Sequence, residues 1–162
     1  MSDGDAETSF RRAMGAFATG VAVVTASRAD GATCGITVNS LTSVSLRPRL
    51  LLWCLGDRSE RYEMFAAAEV WGVSILPAGE EAVARRFAIA ERELLEQAER
   101  APLGDAPVLE GALARFACRT RARIPAGDHL VIIGEVTAFD TTPGAALTFF
   151  RGRYGRTEDA GG

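Results

Sequence analysis

Residues 35–46, GITVNSLTSVSL, form a polar stretch between two of the most apolar runs of the chain. Those runs are VAVVTA at 21–26 and LLLWCL at 50–55, and their composition is typical of buried β-strands. Short polar residues between core strands form either a solvent-facing strand end or the lining of a pocket, and the residues alone leave both interpretations open. The polar residues of the stretch are Thr37, Asn39, Ser40, Thr42, Ser43 and Ser45.

The segments on either side of this stretch predict an antiparallel sheet. Residues 21–27 and 32–40 flank the turn sequence RADG, which predicts a β-hairpin. Because most of the predicted strands follow one another as hairpins, they are antiparallel. The predicted fold class is mainly β (α+β), an antiparallel barrel of six to seven strands with short flanking helices. Further strands are predicted at 49–56, 70–76, 112–124, 129–141 and 146–151, and short helices at 8–20, 59–68 and 79–88.

One domain is predicted over residues 8–156. Residues 1–7 and 157–162, at the two ends, are predicted to be disordered. Residues 89–111 are first charged and then rich in Pro and Gly. We interpret them as a short helix followed by a loop that leaves the barrel and returns to it.

Two absences in the composition exclude whole classes of chemistry. All 18 basic residues are Arg, so Schiff-base catalysis, covalent pyridoxal phosphate and the Lys of a phosphate loop are excluded. His129 is the only histidine and no C-x-x-C pair is present, so no metal site is predicted. An enzyme of this composition is expected to position a cofactor that performs the chemistry.

Composition also limits the expected partners and location. The net charge is −3 and the arginines are scattered, so no nucleic-acid binding is predicted. There is no run of 18 apolar residues and no signal-peptide pattern, so neither membrane association nor export is expected. Cys34, Cys54 and Cys118 are odd in number and lie far apart in apolar runs, which predicts reduced thiols in a cytoplasmic protein.

Five motifs, taken in order along the chain, resemble one known family. They are FRRAMGAFATGVAVVT at 10–25, GITVNSLTSVSLRPRLLLWCL at 35–55, RS at 58–59, GDH at 127–129 and GRY at 152–154. Together they are similar to the flavin reductase family, the small reductase components of two-component flavin monooxygenases. The resemblance implies an FMN-binding split β-barrel, NADH- or NADPH-dependent reduction of FMN or FAD, a homodimer, and a partner monooxygenase that receives the reduced flavin.

The resemblance gives the polar stretch a role in flavin binding. Thr37, Asn39 and Ser40 would present their polar groups on the open face of a strand end, beside the isoalloxazine ring and the ribityl chain. Residues 43–45 would form the following bend, where small side chains let main-chain N–H groups approach the pyrimidine edge of the ring. The cofactor-binding residues assigned in this region are Thr37, Val38, Asn39, Ser40, Ser43, Val44, Ser45 and Cys54.

Two arginine-containing segments are candidates for phosphate binding. Arg58, Ser59 and Arg61 begin the helix predicted after the Cys54 strand, and a helix N-terminus with a hydroxyl cap suits a phosphate. The alternative is that Ser59 is an ordinary helix cap. Arg85 and Arg86, with Phe87, are candidates for phosphate or adenosine contact, and their alternative is compensation of a helix dipole. The cofactor-binding residues carried forward from these segments are Ser59, Arg61, Arg86 and Phe87.

His129 is the predicted catalytic residue. The resemblance places the histidine of GDH near the nicotinamide, where it would position the carboxamide, and Asp128 would orient its ring. Without the resemblance, His129 simply opens a strand. Tyr154 of GRY is expected near the flavin, or else as a core aromatic residue near the C-terminus.

The sequence departs from the family pattern in two places. Arg49 stands where relatives often have a second proline, and residues 89–111 lack the aromatic positions common there. The preference between FMN and FAD and the tightness of flavin retention therefore stay open. Two rival functions also stay open: an enzyme that retains its flavin and reduces another acceptor, and a non-catalytic flavin carrier or sensor. NADH oxidation in excess free flavin discriminates between these hypotheses.

Overall fold

A computed structural model of the chain describes residues 3–89 and 94–158. Strands outnumber helices in these ranges, and the helices are short. The helices are α1 Asp3–Met14, α2 Tyr62–Ala67 and α3 Glu81–Phe87, with a 3₁₀ turn at Gln97–Glu99. The strands are β1 Thr19–Gly20, β2 Ala22–Ser27, β3 Thr33–Val38, β4 Thr42–Leu46, β5 Arg49–Gly56, β6 Val70–Ile75, β7 Arg100–Leu103, β8 Ala106–Leu109, β9 Ala114–Ala126, β10 His129–Thr141, β11 Leu147–Phe150 and β12 Arg153–Arg156.

Seven strands form one antiparallel sheet, in the order β3-β2-β6-β9-β10-β5-β4. Its two edges, β3 and β4, are separated in the chain only by residues 39–41. A flat sheet of seven strands would hold its edges about 29 Å apart, whereas the four Cα–Cα steps from Val38 to Thr42 span at most about 15 Å. The sheet must therefore curl until its edges approach each other. This curled antiparallel sheet confirms the predicted fold class.

Strand β2 has a core on each of its two faces. Val24 belongs to the cluster inside the curled sheet, where the Trp53 and Trp71 rings lie 6.1 Å apart, centroid to centroid. Val23, the next residue back, belongs to a second cluster with Phe87 of α3. Successive side chains of a strand point to opposite faces, so the uninterrupted apolar run at 21–26 reflects burial on both sides.

The N-terminal helix begins earlier than predicted. The helix expected from residue 8, with Thr8 or Ser9 as its cap, runs instead from Asp3 to Met14. The Thr8 hydroxyl donates to the Gly4 carbonyl at 2.9 Å, so it bonds back within the helix rather than capping it. Residues 3–7 are therefore helical, and the prediction that they are disordered is wrong. The rest of the predicted disordered ends, residues 1–2 and 159–162, lies outside the described residues.

The excursion between α3 and β9 carries a hairpin where a loop was expected. Strands β7 and β8 pair with each other, and the second of them is fastened to the main sheet. The Thr25 hydroxyl donates to the Pro107 carbonyl at 2.5 Å, and the Leu109 N–H donates to the Ser74 hydroxyl at 2.9 Å. Val108 and Leu109 are buried, so this hairpin closes part of the second core cluster. The prediction of a loop failed because Pro and Gly content concealed these apolar residues. Residues 90–93, part of the predicted short helix, lie outside the described residues.

Candidate functional site

A cavity of about 900 Å³ lies at the junction of the two sheet edges. One wall is the 38–42 segment that joins β3 to β4, and another is the C-terminal half of α1. The turn between β11 and β12 and the aromatic ring of Phe149 complete it. Pockets of 300–1,000 Å³ with apolar walls and a few polar groups hold drug-sized ligands and cofactors. The cavity contains three of the predicted flavin-binding residues: Val38, Asn39 and Ser40.

Asn39 and Ser40 have different roles in the wall. The Asn39 side chain is exposed, and within the described residues no hydrogen bond engages it. The Ser40 hydroxyl accepts the Cys54 N–H at 2.9 Å and lies 3.4 Å from the Cys54 carbonyl oxygen. Ser40 therefore ties the connection between β3 and β4 to β5, while Asn39 has its amide available for a ligand.

Thr37 does not face the cavity. Its hydroxyl donates to the Ala84 carbonyl of α3 at 2.7 Å. This hydroxyl is therefore engaged within the fold, and its contact with the flavin stays a prediction. The half-buried Thr37 hydroxyl links β3 to α3, and the alternating pattern of the strand did not predict this contact.

Residues Ser43, Val44 and Ser45 lie on the edge strand β4 rather than on a bend. β4 pairs only with β5 in the described sheet, and its register shifts between Ser43 and Ser45. An edge strand leaves one row of main-chain N–H and C=O groups without a strand partner. This arrangement suits the predicted contact between main-chain N–H groups and a ring edge.

The predicted phosphate seat at the start of α2 is arranged differently from the prediction. The helix begins at Tyr62, and no side chain caps it. The Ser59 hydroxyl accepts the Arg61 N–H at 3.2 Å, which makes Ser59 part of the preceding turn. The prediction of Ser59 as a helix cap is wrong, because the chain needs this turn to pass from β5 into the helix.

Arg61 is buried, with 8% of its surface exposed. One guanidinium nitrogen donates to the Gly35 carbonyl at 3.0 Å and to the Phe87 carbonyl at 2.8 Å. The side chain therefore ties β3 to the end of α3, behind the wall that carries Thr37. A Cβ on Gly35 would lie 2.8 Å from the Phe87 ring, so glycine is needed for this close approach.

Arg86 and Phe87 also belong to the interior side of the wall. Arg86 donates to both carboxylate oxygens of Glu99 and to the Leu94 carbonyl, and its guanidinium lies 4.7 Å from the centroid of the Phe87 ring. The hydrogen bond from Arg86 holds the pKa of Glu99 below its usual value of 4.5. Phe87 itself is fully buried. These residues, predicted to contact phosphate or adenosine, fasten the excursion to α3.

Tyr154 and Arg85 meet beside the last turn of α3. The Tyr154 ring packs 5.2 Å from the ring of Phe149, and the Arg85 guanidinium lies 4.9 Å from the Tyr154 centroid. Tyr154 is half-buried and belongs to the second core cluster, not to the lining of the large cavity.

His129 opens β10 directly opposite Gly56 of β5. Its Nδ1 atom lies 2.8 Å from Asp128, and its Nε2 atom is 3.6 Å from where a Cβ on Gly56 would lie. The His129 hydrogen bond lowers the pKa of the Asp128 carboxyl. Because Cys54 and Gly56 are two residues apart on one strand, their side chains share a face of the sheet. His129 therefore lies on the same outer face as Cys54, which Ser40 contacts.

The structure thus separates the predicted residues into three groups. Asn39 and Ser40 line the cavity, with Ser43, Val44 and Ser45 following them on the edge strand, and His129 lies on the outer face of the sheet. Thr37, Arg61, Arg86 and Phe87 brace the wall from behind. Sequence reasoning missed the cavity residues of α1 and of the β11–β12 turn, above all Arg11 and Arg151. Gly152 favours a turn next to Arg151, but it gives no indication of a role for the arginine side chain.

Residues 14–158 match the family model of the flavin reductase like domain, and the chain belongs to this family. An NADH-dependent FMN reductase of Agrobacterium fabrum is 40% identical over 153 residues, which are 94% of this chain and 87% of that protein. The reductase component of the flavin-dependent trigonelline monooxygenase of Acinetobacter baylyi is 37% identical over 158 residues. That match takes in 95% of this chain and 51% of the relative, so the chain spans about half of that longer protein.

A solved structure shares the fold as well. The NADH:FAD oxidoreductase of Streptomyces globisporus, in complex with NAD and FAD fragments, superposes with a TM-score of 0.87 and 34% identity. The match covers 99% of this chain and 98% of that one.

Two negative findings concern the described residues. Between residues 3–89 and 94–158, no three His, Cys, Asp or Glu side chains are grouped to hold a metal ion. None of the helices in those ranges is long and apolar enough to cross a membrane.

Proposed function

We propose that this chain is an NADH-dependent flavin reductase that reduces FMN or FAD and supplies the reduced flavin to a partner monooxygenase. The observation that carries the proposal is the cavity at the sheet junction, in a chain whose family is that of the flavin reductases. Relatives of this chain bear the names of NADH-dependent FMN and FAD reductases, and one is the reductase component of a monooxygenase.

The residues around the cavity fit a flavin. The apolar walls of α1 and Phe149 suit a flat ring. Strand β4, whose first residue Thr42 lines the cavity, has an unpaired edge with main-chain donors for the polar rim of that ring. When bound together, NADH supplies a hydride that the flavin ring accepts. The chain then has to bind the two rings in contact, orient them and exclude water, since proximity provides much of the acceleration.

In this proposal Asn39 donates to the flavin and His129 positions the nicotinamide. His129 is held by Asp128 through Nδ1, which leaves Nε2 available on the outer face of the sheet. Ser59 keeps its proposed place in the flavin site, and Arg61 acts through the wall that it braces, because its guanidinium already donates to the Gly35 and Phe87 carbonyls.

We also propose that the chain acts as a homodimer. Leu52, Val131 and Ile133 lie on the outer face of the sheet, and Ile124 on the same face is 48% exposed. A solvent-facing sheet surface usually carries polar residues, so an apolar one is a natural contact for a second copy. Sedimentation at micromolar concentration should give a species of twice 17.2 kDa. A single species of 17.2 kDa would contradict this part of the proposal.

A cytoplasmic location accompanies the proposal. NADH is the donor, and the three cysteines are free thiols in the structure, which suits a reducing compartment.

The decisive experiment is steady-state NADH oxidation by the purified chain with FMN or FAD in excess. A reductase uses the flavin as a saturable substrate, whereas a carrier or sensor protein gives no turnover above the protein-free rate.

The His129→Ala variant should lose about 10- to 100-fold in kcat/KM for NADH, with flavin affinity within about threefold of wild type. Wild-type rates of flavin bleaching in this variant would remove His129 from the site.

A further inference from the structure

Five arginines near the cavity have no carboxylate partner among the residues that the structure describes. Within the part of the chain that the structure describes, no carboxylate lies within 4.0 Å of their guanidinium groups. We call them the hairpin–helix arginines: Arg11 and Arg12 in the last turn of α1, and Arg151, Arg153 and Arg156 in the β11–β12 hairpin. Arg151 lines the large cavity and also two adjoining depressions of about 510 and 520 Å³.

The backbone brings Arg151 and Arg11 together. The Arg151 N–H donates to the Gly15 carbonyl at 2.9 Å, and the Gly15 N–H donates to the Arg11 carbonyl at 2.9 Å. The turn therefore packs against the end of α1. The final carbonyls of that helix are already satisfied by main-chain N–H groups, so the arginine side chains are not needed to cap it.

Arg151 stands where a turn disfavours it. Phe150 pairs with Arg153, which leaves a two-residue turn in which both φ angles are positive, 48° at Arg151 and 76° at Gly152. Turns of this kind strongly prefer Asn, Asp or Gly at the first position. Arg151 is the only non-glycine residue with positive φ in the described ranges. The Arg151 guanidinium lies 5.2 Å from the centroid of the Phe150 ring. A ring contact of this kind leaves the N–H groups of the guanidinium available to a ligand.

We propose that Arg151 and Arg11 bind a phosphate group of a dinucleotide or flavin nucleotide whose ring occupies the apolar part of the cavity. This inference rests on the proposed function. Guanidinium groups bind phosphate through paired, charge-assisted hydrogen bonds. The arginines predicted for this role, Arg61 and Arg86, already donate to carbonyls and to Glu99. The phosphate belongs either to the flavin or to NADH, and the chemistry of recognition is the same.

The test uses Arg151→Asn, Arg151→Gly and Arg11→Gln. Arg121→Gln is the matched control, because it removes one charge from an exposed arginine that pairs with Glu135 and lines none of these cavities. Dissociation constants for FMN and FAD are measured by flavin fluorescence, KM for NADH by steady-state rates, and stability by thermal unfolding.

We expect the Arg151 variants to melt at or above the wild-type temperature, because the turn prefers Asn and Gly. They should lose about tenfold in affinity for one ligand, as expected for a hydrogen bond to a charged group. Equal losses for FMN and FAD assign the flavin phosphate, a loss for FAD alone assigns the adenylate, and a raised KM for NADH assigns the pyridine nucleotide.

Affinities for FMN, FAD and NADH that all stay within about twofold of wild type would overturn the inference. So would an equal loss in Arg121→Gln, because it would show a general effect of charge. The flavin-binding measurements need no turnover, so they separate a failure of this inference from a failure of the proposed reductase activity.

Discussion

The arginines of β9 and α3 and the hairpin–helix arginines carry the same charge in different surroundings. Arg86, Arg115 and Arg123 each meet a carboxylate, on Glu99, Asp140 and Glu69 respectively. The hairpin–helix arginines meet none in the described residues and surround cavities instead. Residue type alone does not separate these two uses. The presence or absence of a partner distinguishes an arginine that fastens the fold from one that is available to a ligand.

Arg61 tests this distinction most directly, because it is buried and was predicted to bind phosphate. Arg61→Leu would leave the Gly35 and Phe87 carbonyls without their donor. We expect a loss of about 2–4 kcal/mol in the free energy of unfolding, and a melting temperature lower by about 5–15 °C. Arg61→Lys keeps one donor within reach and should lose about half as much. A Leu variant that melts like wild type but binds flavin weakly would show instead that Arg61 is a phosphate ligand.

Asn39 and Thr37, at the end of one strand, show the same contrast between a side chain that is available to a ligand and one that fastens the fold. Asn39→Leu should weaken flavin binding about five- to a hundredfold, the effect of about 1–3 kcal/mol for a lost hydrogen bond in a partly buried site. Its melting temperature should hardly change, because the Asn39 amide has no hydrogen-bond partner in the described structure. Thr37→Val is the control, since it removes only the bond to Ala84. It should cost about 1 kcal/mol of stability and leave flavin affinity within about threefold. If Asn39→Leu lowered the melting temperature and Thr37→Val weakened flavin binding, Asn39 would be the structural residue and Thr37 the flavin ligand.

Much of the fold could be predicted from the sequence because strand periodicity is a local property. The hairpin of β2 and β3 and the bounds of β5 and β10 follow from alternating or continuous apolar runs. The edge strand β4 was taken for a bend, because its Ser and Thr residues resemble turn residues and only pairing with β5 makes them a strand.

The candidate site was harder to predict than the fold. The motif around Asn39 identified the cavity wall, since resemblance preserves position along the chain. The motif could not show that the Thr37 hydroxyl donates to α3 or that Glu99 pairs with Arg86, because both depend on contacts between distant segments. Arg151 carried no signal beyond its turn, and its closeness to Arg11 exists only in the folded chain.

The pair of Arg86 and Glu99 predicts a pH effect. The pKa of Glu99 is lowered in the folded chain, chiefly by the hydrogen bond from Arg86. A lowered folded-state pKa gives stability that is present above the unfolded value of 4.5 and is lost as the pH falls below it. Glu99→Gln should therefore lower the melting temperature by about 1–3 °C at neutral pH.

That difference between wild type and Glu99→Gln should shrink toward zero as the pH falls below 4.5 and through the lowered folded-state pKa of Glu99, because the wild-type carboxylate then becomes protonated. A difference that stays constant across this range would show that the Arg86 contact contributes packing rather than charge. Glu110→Gln is a suitable control, since Glu110 lies 3.8 Å from Arg115 and its side chain is 69% exposed.

The smallest effect is expected where a paired arginine is most exposed. The Arg121 Nε atom donates to Glu135 at 2.6 Å, but 62% of the Arg121 side chain remains accessible to water. An exposed ion pair is screened and costs side-chain entropy, so Arg121→Gln should change the free energy of unfolding by less than about 0.5 kcal/mol. Flavin and NADH kinetics should match those of wild type. Thermal unfolding and steady-state rates should be measured for both Arg121→Gln and Arg151→Asn. The two variants compare the loss of one charge from an exposed ion pair with the loss of one charge from a hairpin–helix arginine. A large loss of flavin or NADH affinity in Arg121→Gln would mean that pairing with a carboxylate does not distinguish structural arginines from ligand-binding ones in this chain.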